Sequence, residues 1–248
     1  MCTIGAVYGG KELILFKNCD MVKKGKFYRP KKRKGKYEYL AFTRKGRPGL
    51  WAGINEYGLG IVAADTYTKK EYKAKKSVVD EIFRGYEKAI ADFKTTDEAV
   101  KFLKKFYKSR IKIVPDLLIL ADRKKATAFE FTPPNKFGLK SVSKGFVLRT
   151  NQFKILGGGK NRKEDPESHI RFANALALLK KDSSVKGIER LCRNHRSGPG
   201  KCSVCRHGKK GGYRSQASAI MAAGRGVKAH YIINGFPCKQ DYAETILC

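Results

Sequence analysis

Residues 1–21 read MCTIGAVYGGKELILFKNCDM. Thr3 to Tyr8 and Glu12 to Phe16 alternate as strands do, and Gly9-Gly10 between them suits a tight turn, so the chain opens with a β-hairpin. The cysteine directly behind Met1 gives the hairpin a second meaning. Removal of Met1 would leave one residue carrying a thiol and a free α-amine, a nucleophile and its own base on a single backbone unit. A buried thiol that merely starts a strand is the plainer alternative, and this stretch alone favours it.

Further strands follow at Tyr39 to Thr43, Leu50 to Ile54 and Gly58 to Ala64, the last two joined through NEYG. Two helices come next. VVDEIFRGYEKAIADF places Val79, Ile82, Phe83, Tyr86, Ile90 and Phe93 on one stripe, and TTDEAVKFLKKFYK repeats the pattern with Val100, Leu103 and Phe106, capped by Thr95 or Thr96. Strands return at Asp116 to Asp122, Ala126 to Phe131, Phe137 to Ser141 and Phe146 to Thr150; VPDLLILAD reads as fully buried and ATAFEF as half-buried. DPESHIRFANALALLKK is a helix with Asp165 as cap, Pro166 in its first turn, and Ile170, Ala173, Leu176, Ala177 and Lys180 along one side. A short helix at Val185 to Cys192 and strands at Ser215 to Met221 and Ala229 to Ile233 complete the order. That succession predicts an α+β fold, a four-layer α/β/β/α sandwich of two antiparallel sheets flanked by helices. It reads as one domain over 1–248, with basic insertions near 23–36 and 190–214.

At 248 residues and 42% hydrophobic, the chain has enough apolar material for a full core. No apolar run approaches the roughly 18 residues of a spanning helix, and the first residues lack the zones of a signal peptide, so the expectation is a soluble cytoplasmic protein with no membrane partner. Seven cysteines, an odd number, argue for thiol or metal roles over a disulfide framework. The charge is one-sided: 54 Lys and Arg against 22 Asp and Glu give a formal +32. Two blocks concentrate it, one around RPKKRKGK at Arg29 to Lys36 and one from Lys186 to Lys228. Such blocks attract polyanions, and RNA, with the ribosome as one such site, is the partner they point to. The candidate contacts are Arg29, Lys31, Lys32, Arg33 and Lys34 in the first block, and Arg193, Arg196, Lys201, Arg206, Lys209 and Lys210 in the second. GGGK at Gly157 to Lys160 lacks the spacing of a phosphate loop and reads as a plain loop.

Six stretches carry a resemblance. MCT at Met1 to Thr3, KNCD at Lys17 to Asp20, NEYGLGI at Asn55 to Ile61, TN at Thr150-Asn151, SHIRF at Ser168 to Phe172, and SVCRHG with the later GFPC occur in this order across most of the chain. Together they resemble the N-terminal nucleophile hydrolases, in the cysteine group that includes the bile-salt hydrolases, penicillin acylases and acyl-CoA:6-aminopenicillanate acyltransferases. The resemblance implies that Cys2 is the nucleophile and its α-amine the base, in an enzyme that cleaves or transfers a non-peptide or short linear amide through an acyl-thioester. An α-amine near ~8 and a thiol near ~8.5 share a proton almost evenly at neutral pH, so the chemistry is consistent. By the same resemblance Asp20 orients the amine, Asn151 donates to the oxyanion, Arg171 braces the nucleophile, and Asn55 lines the pocket. Lys17 stands where the bile-salt hydrolases have arginine. It keeps the cation but loses the planar fork, so the substrate does not transfer from any one relative. No cofactor is required by this reading.

CRNHRSGPGKCSVCRH, residues 192–207, packs cysteines and histidines densely enough to suggest structural zinc on Cys192, His195, Cys202 and Cys205. The alternative is that Cys205 and His207 are simply buried core residues. Two function classes therefore remain: a cysteine amidohydrolase or acyltransferase acting on a small substrate, and an RNA-binding protein that uses the hydrolase fold as a scaffold.

Overall fold

The computed structural model describes residues 2–9, 12–66, 75–110, 114–157, 166–196, 198–209 and 211–248. The opening hairpin is present, with β1 (Cys2–Gly9) antiparallel to β2 (Glu12–Met21) and Cys2 opposite Cys19. Gly10 and Lys11 of its turn, the Asp165 cap and most of GGGK lie outside the described residues, as does Lys210.

The hairpin is the centre of a six-stranded sheet. β10 (Gly145–Arg149) flanks β1, while β11 (Arg214–Ala223), β12 (Val227–Ile233) and β13 (Ala243–Ile246) continue outward from β2. The second sheet has seven strands in chain order: β3 (Lys31–Lys34), β4 (Glu38–Phe42), β5 (Ala52–Asn55), β6 (Gly60–Ala64), β7 (Asp116–Ala121), β8 (Ala126–Thr132) and β9 (Lys136–Val142). All described pairings in both sheets are antiparallel.

Because side chains alternate across a strand, each sheet buries two faces. Ile4, Ala6, Leu13 and Leu15 of the first sheet meet Leu40, Ile54, Val62, Leu117 and Ile119 of the second in the central layer. The opposite face of the seven-stranded sheet, with Ile61, Leu118, Leu120, Phe129 and Phe131, is covered by α1 (Lys76–Asp92) and α2 (Thr96–Arg110). Val7, Ile14, Phe16 and Ile220 on the outer face of the other sheet are covered by α3 (Pro166–Lys181) and α4 (Val185–Cys192). The result is the predicted four-layer sandwich.

Local signals explain the element ends. Thr95 accepts from Glu98 N at 3.3 Å while Glu98 accepts from Thr95 N at 3.0 Å, a capping box that starts α2. Ser184 accepts from Gly187 N at 3.1 Å and starts α4.

Four elements differ from the sequence reading. β3 is a strand within the basic block, and β13 is a short exposed strand; both lie at sheet edges, where no apolar face is needed and charge discourages further pairing. β8 is buried along Ala126–Phe131 rather than on one face only, because helices cover one side and the other sheet the other. In α3 the inward face carries Ser168, Arg171, Ala175 and Leu179, and Ile170 is 41% exposed. The side that carries Ile170, Ala173, Ala177 and Lys180 is therefore the outer one: the helix turns Ser168 and Arg171 inward together with Ala175 and Leu179. No helix among the described residues is long and apolar enough to cross a membrane.

Candidate active site

Cys2 lies in a pocket of about 450 Å³, together with Lys17, Cys19, Asp20, Arg44, Trp51, Asp65, Phe83, Asp116 and Tyr213. Cys2 is 4% exposed, and its backbone nitrogen donates to Asn151 Oδ1 at 3.4 Å. The hairpin register supplies the nearest groups, since β2 carries Lys17, Cys19 and Asp20 beside the start of β1.

The TN and SHIRF stretches form one hydrogen-bonded unit. Asn151 N donates to Ser168 Oγ at 3.0 Å, Ser168 Oγ donates to Thr150 Oγ1 at 2.8 Å, and Arg171 Nη2 donates to Asn151 Oδ1 at 2.7 Å. Ser168 and Arg171 are three residues apart in the first turns of α3, so they share the face turned toward Asn151. This is why the helix buries a fully enclosed arginine. Arg171 fixes the orientation of the Asn151 amide: its oxygen faces the Cys2 nitrogen, and its Nδ2 donates to the Asp65 carbonyl at 2.6 Å. That carbonyl takes one of the two N–H donors of the Asn151 amide.

Cys2 and Cys19 share charge unequally. A hydrogen bond from the Cys19 thiol holds the Cys2 thiol well below its ordinary value, with help from the Lys17 cation, against the opposing effect of burial. The same bond and burial push Cys19 well above. Burial, and then the Cys2 charge, raise Asp20 to about 6, while Arg171 and Arg206 act the other way. Asp20 Oδ1 accepts from Ser215 Oγ at 2.6 Å. Lys17, 5% exposed, donates through Nζ to Trp51 O at 3.3 Å and sits 5.4 Å from the Trp51 ring centre. Also on the pocket wall, Asp116 accepts from the hydroxyls of Tyr86 and Tyr107, and burial raises it to about 6.

Asn55 is not among these groups. Its Nδ2 donates to Ile90 O and Phe93 O, both at 2.8 Å, and its Oδ1 accepts from Tyr57 N and Leu59 N. The side chain joins the β5–β6 turn to the end of α1, and its hydrogen-bonding capacity is spent there. The sequence reading missed Cys19, Ser168, Ser215, Asp65 and Arg44. Only Cys19 and Ser168 carried a signal, as members of KNCD and SHIRF.

The metal-site expectation is half corrected. Among the described residues, the cluster that gathers is His195, Cys205, His207 and Cys238, with donor atoms all within 4.8 Å of one another. Cys192, the last residue of α4, is fully buried against the six-stranded sheet, where burial pushes its thiol up to about 12, and Cys202 lies outside the cluster. The basic candidates divide as well. Arg29, Lys31, Lys34, Arg196 and Lys209 are exposed. Arg206 is 1% exposed and ion-paired with Glu167 at 2.9 Å, so it is not a surface contact. Lys201 pairs with Glu167, Arg33 with Glu87 at 2.5 Å, and Arg193 lies against Tyr242 and Asp241. Lys32 donates to Leu247 O at 2.9 Å.

Residues 8–223 match the family described as acyl-coenzyme A:6-aminopenicillanic acid acyl-transferase. No curated protein matches the sequence. Among solved structures, the chain is similar to a Caenorhabditis elegans ortholog of N-acylethanolamine-hydrolyzing acid amidase, at 14% identity and TM-score 0.61 over 100% of both chains. It is also similar to a mutant of conjugated bile acid hydrolase from Clostridium perfringens, at 15% identity and TM-score 0.61, over 100% of this chain and 92% of that one. At these identities the structural likeness is one of fold.

Proposed function

The chain belongs to the acyl-coenzyme A:6-aminopenicillanic acid acyl-transferase family, among the N-terminal nucleophile amidohydrolases and acyltransferases, and on that premise we propose that Cys2 is its nucleophile once Met1 is removed. The observation that carries the reading is the convergence on Cys2 of Lys17, Cys19 and Asp20 from β2 and of Asn151, braced by Arg171.

In the mature chain the Cys2 nitrogen is an amine rather than an amide. One of its N–H bonds is held by Asn151 Oδ1, which leaves the lone pair available to the thiol. The thiol proton passes to that amine, and the sulfur attacks the substrate carbonyl to form a tetrahedral oxyanion. Collapse breaks the C–N bond, the leaving nitrogen takes the proton from the ammonium, and an acyl-thioester remains. Water then gives hydrolysis, or an acceptor amine gives transfer, with the amine of Cys2 again moving the proton. Lys17 and Cys19 favour the sulfur anion, and Asp20 holds the ammonium. The aromatic walls at Trp51, Phe83 and Tyr213, with the cations at Lys23 and Arg44, suit a small amide that combines an apolar acyl part with negative charge; Arg47, also on the wall, is paired with Asp80 at 2.7 Å.

The direct test is intact-protein mass spectrometry. The expected result is loss of Met1 and one acyl adduct on Cys2 after reaction with an amide-mimicking electrophile; retention of Met1 in active protein would end the assignment of the base. A second expectation concerns Cys19→Ala. Without the Cys19 donor, the Cys2 thiol rises toward its ordinary value, so the acidic limb of kcat/KM and of alkylation by iodoacetamide moves to higher pH. A profile that stays in place would show that Cys19 has no part in thiolate formation.

A second reading adds RNA contact, and the observation favouring it is the exposed basic edge strand β3 beside Arg29 in a chain of net charge +32. Lysine on an edge strand also protects against sheet extension, so charge alone does not decide between the two. Replacing Arg29, Lys31 and Lys34 with glutamine is expected to lower the slope of log affinity for single-stranded RNA against log salt by about 0.7 for each phosphate that is no longer neutralised. An unchanged slope would remove β3 as the RNA-facing surface.

A further inference from the structure

The cluster of His195, Cys205, His207 and Cys238 has the donors and the dimensions of a metal site. His195 follows α4, Cys205 and His207 precede β11, and Cys238 lies in the short turn Pro237–Lys239 beyond β12. His207 Nε2 is 3.6 Å from Cys205 Sγ and 3.2 Å from Cys238 Sγ. In a tetrahedron with Zn–S of about 2.3 Å and Zn–N of about 2.05 Å, sulfur-to-nitrogen edges are about 3.5 Å. The two imidazole rings stand 4.8 Å apart at 70°, so they approach a common point from different directions.

Ordinary packing does not account for this arrangement. His195 Nε2 is buried and has no hydrogen-bond partner among the described residues, an expensive condition for an imidazole nitrogen. The ring of His207 is held by stacking on Phe236 at 4.0 Å and 12°, and the backbone on either side is fixed by Cys205 N to Asn194 O at 3.1 Å and His207 N to Gly200 O at 3.3 Å. Two thiols and two imidazoles form a soft to borderline set that suits zinc, and four protein ligands leave no open position for chemistry.

We propose that His195, Cys205, His207 and Cys238 bind one structural zinc ion. The ion ties the segment after α4 to the turn after β12, and the tied segment bears directly on the catalytic side. Arg171 Nη1 donates to Lys201 O at 3.3 Å. Arg206, between two of the ligands, donates its backbone N–H to Ser215 Oγ at 2.9 Å, and Ser215 in turn donates to Asp20. Zinc is thus a clamp behind Asp20 and Arg171.

The full chain, expressed with zinc in the medium and desalted, is expected to carry about one zinc per chain by elemental mass spectrometry. Replacement by Co(II) should give the intense sulfur-to-cobalt charge-transfer and tetrahedral d–d bands of a mixed thiolate-imidazole site. Cys238→Ser, at a half-buried turn position, and His195→Gln should each lose most of the zinc and those bands. Cys202→Ser, a thiol outside the cluster, should keep both. A strong chelator should lower the thermal midpoint of the wild type and leave that of Cys238→Ser unmoved, a readout independent of catalysis. Should Cys238→Ser fail to fold, His195→Gln and the metal content of the wild type decide the matter. The proposal is overturned by wild-type protein that holds neither zinc nor cobalt, by zinc retained in both ligand variants, or by an intact mass showing a Cys205–Cys238 disulfide.

Discussion

Cys2→Ala is expected to reduce turnover of every amide substrate by about 10⁴-fold or more, the scale on which removal of a covalent nucleophile is felt in other enzymes. The loss should come without loss of the fold. Cys2 is the first residue of β1, held by a ladder that continues through Gly9, and truncation to alanine removes a single sulfur atom at the pocket wall. The thermal midpoint should therefore lie within a few degrees of the wild type, while alkylation at this position and acyl-adduct formation disappear. Cys2→Ser is expected to keep a trace of activity, because the α-amine can still take a hydroxyl proton but the alkoxide is far harder to form near neutral pH. RNA affinity, if governed by surface charge, should be the same in all three proteins. A Cys2→Ala protein that turned over the wild-type substrates at the wild-type rate would remove the nucleophile from this position, whatever family the chain belongs to.

The parts of this arrangement that could be read beforehand are those whose signal is local. The opening hairpin showed in its alternation and its paired glycines, α2 in the stripe of Val100, Leu103 and Phe106 behind a threonine cap at Thr95 or Thr96, and the strand and helix order in the periodicity of apolar residues. Cys2, Asp20, Asn151 and Arg171 came from ordered motifs, and the fold brings together the segments that carry them. What failed to show is set by tertiary partners. Arg171 sits beside the apolar Ile170 and Phe172, so an amphipathic reading turns it outward; it points inward because Asn151 Oδ1 accepts from its guanidinium. Asn55 looked like a pocket residue because its motif is shared with the family, yet its side chain is consumed by four hydrogen bonds around a turn. The metal cluster was seen as a density of cysteines within sixteen residues, but its fourth donor lies thirty-one residues beyond His207, and spacing cannot tell Cys192 or Cys202 from Cys238.

Glu130 is the residue whose importance was least visible, and its replacement should give the largest change in stability. In ATAFEF it looks like the polar side of a half-exposed strand. In the folded chain it is fully buried, and its two oxygens accept from three consecutive backbone N–H groups, those of Lys154 at 2.7 Å and of Ile155 and Leu156 at 2.9 Å, and from Arg149 Nε at 3.3 Å. Glu130→Ala would leave those amides and a guanidinium 7% exposed without their acceptor. Breaking one side of a buried charge pair costs about 3–5 kcal/mol, where an exposed pair would cost less than about 1 kcal/mol. For a chain of this size that corresponds to a fall of roughly 6–20 °C in thermal midpoint. The segment released begins three residues after Asn151, so the amide that holds the Cys2 nitrogen should lose its fixed position before the protein unfolds, and activity should decline at temperatures where circular dichroism is still native. Glu130→Gln keeps one acceptor oxygen and should fall between the two. A Glu130→Ala protein within about 1 kcal/mol of the wild type would mean that water replaces the carboxylate at those amides, the usual resolution for a group that is less enclosed than Glu130.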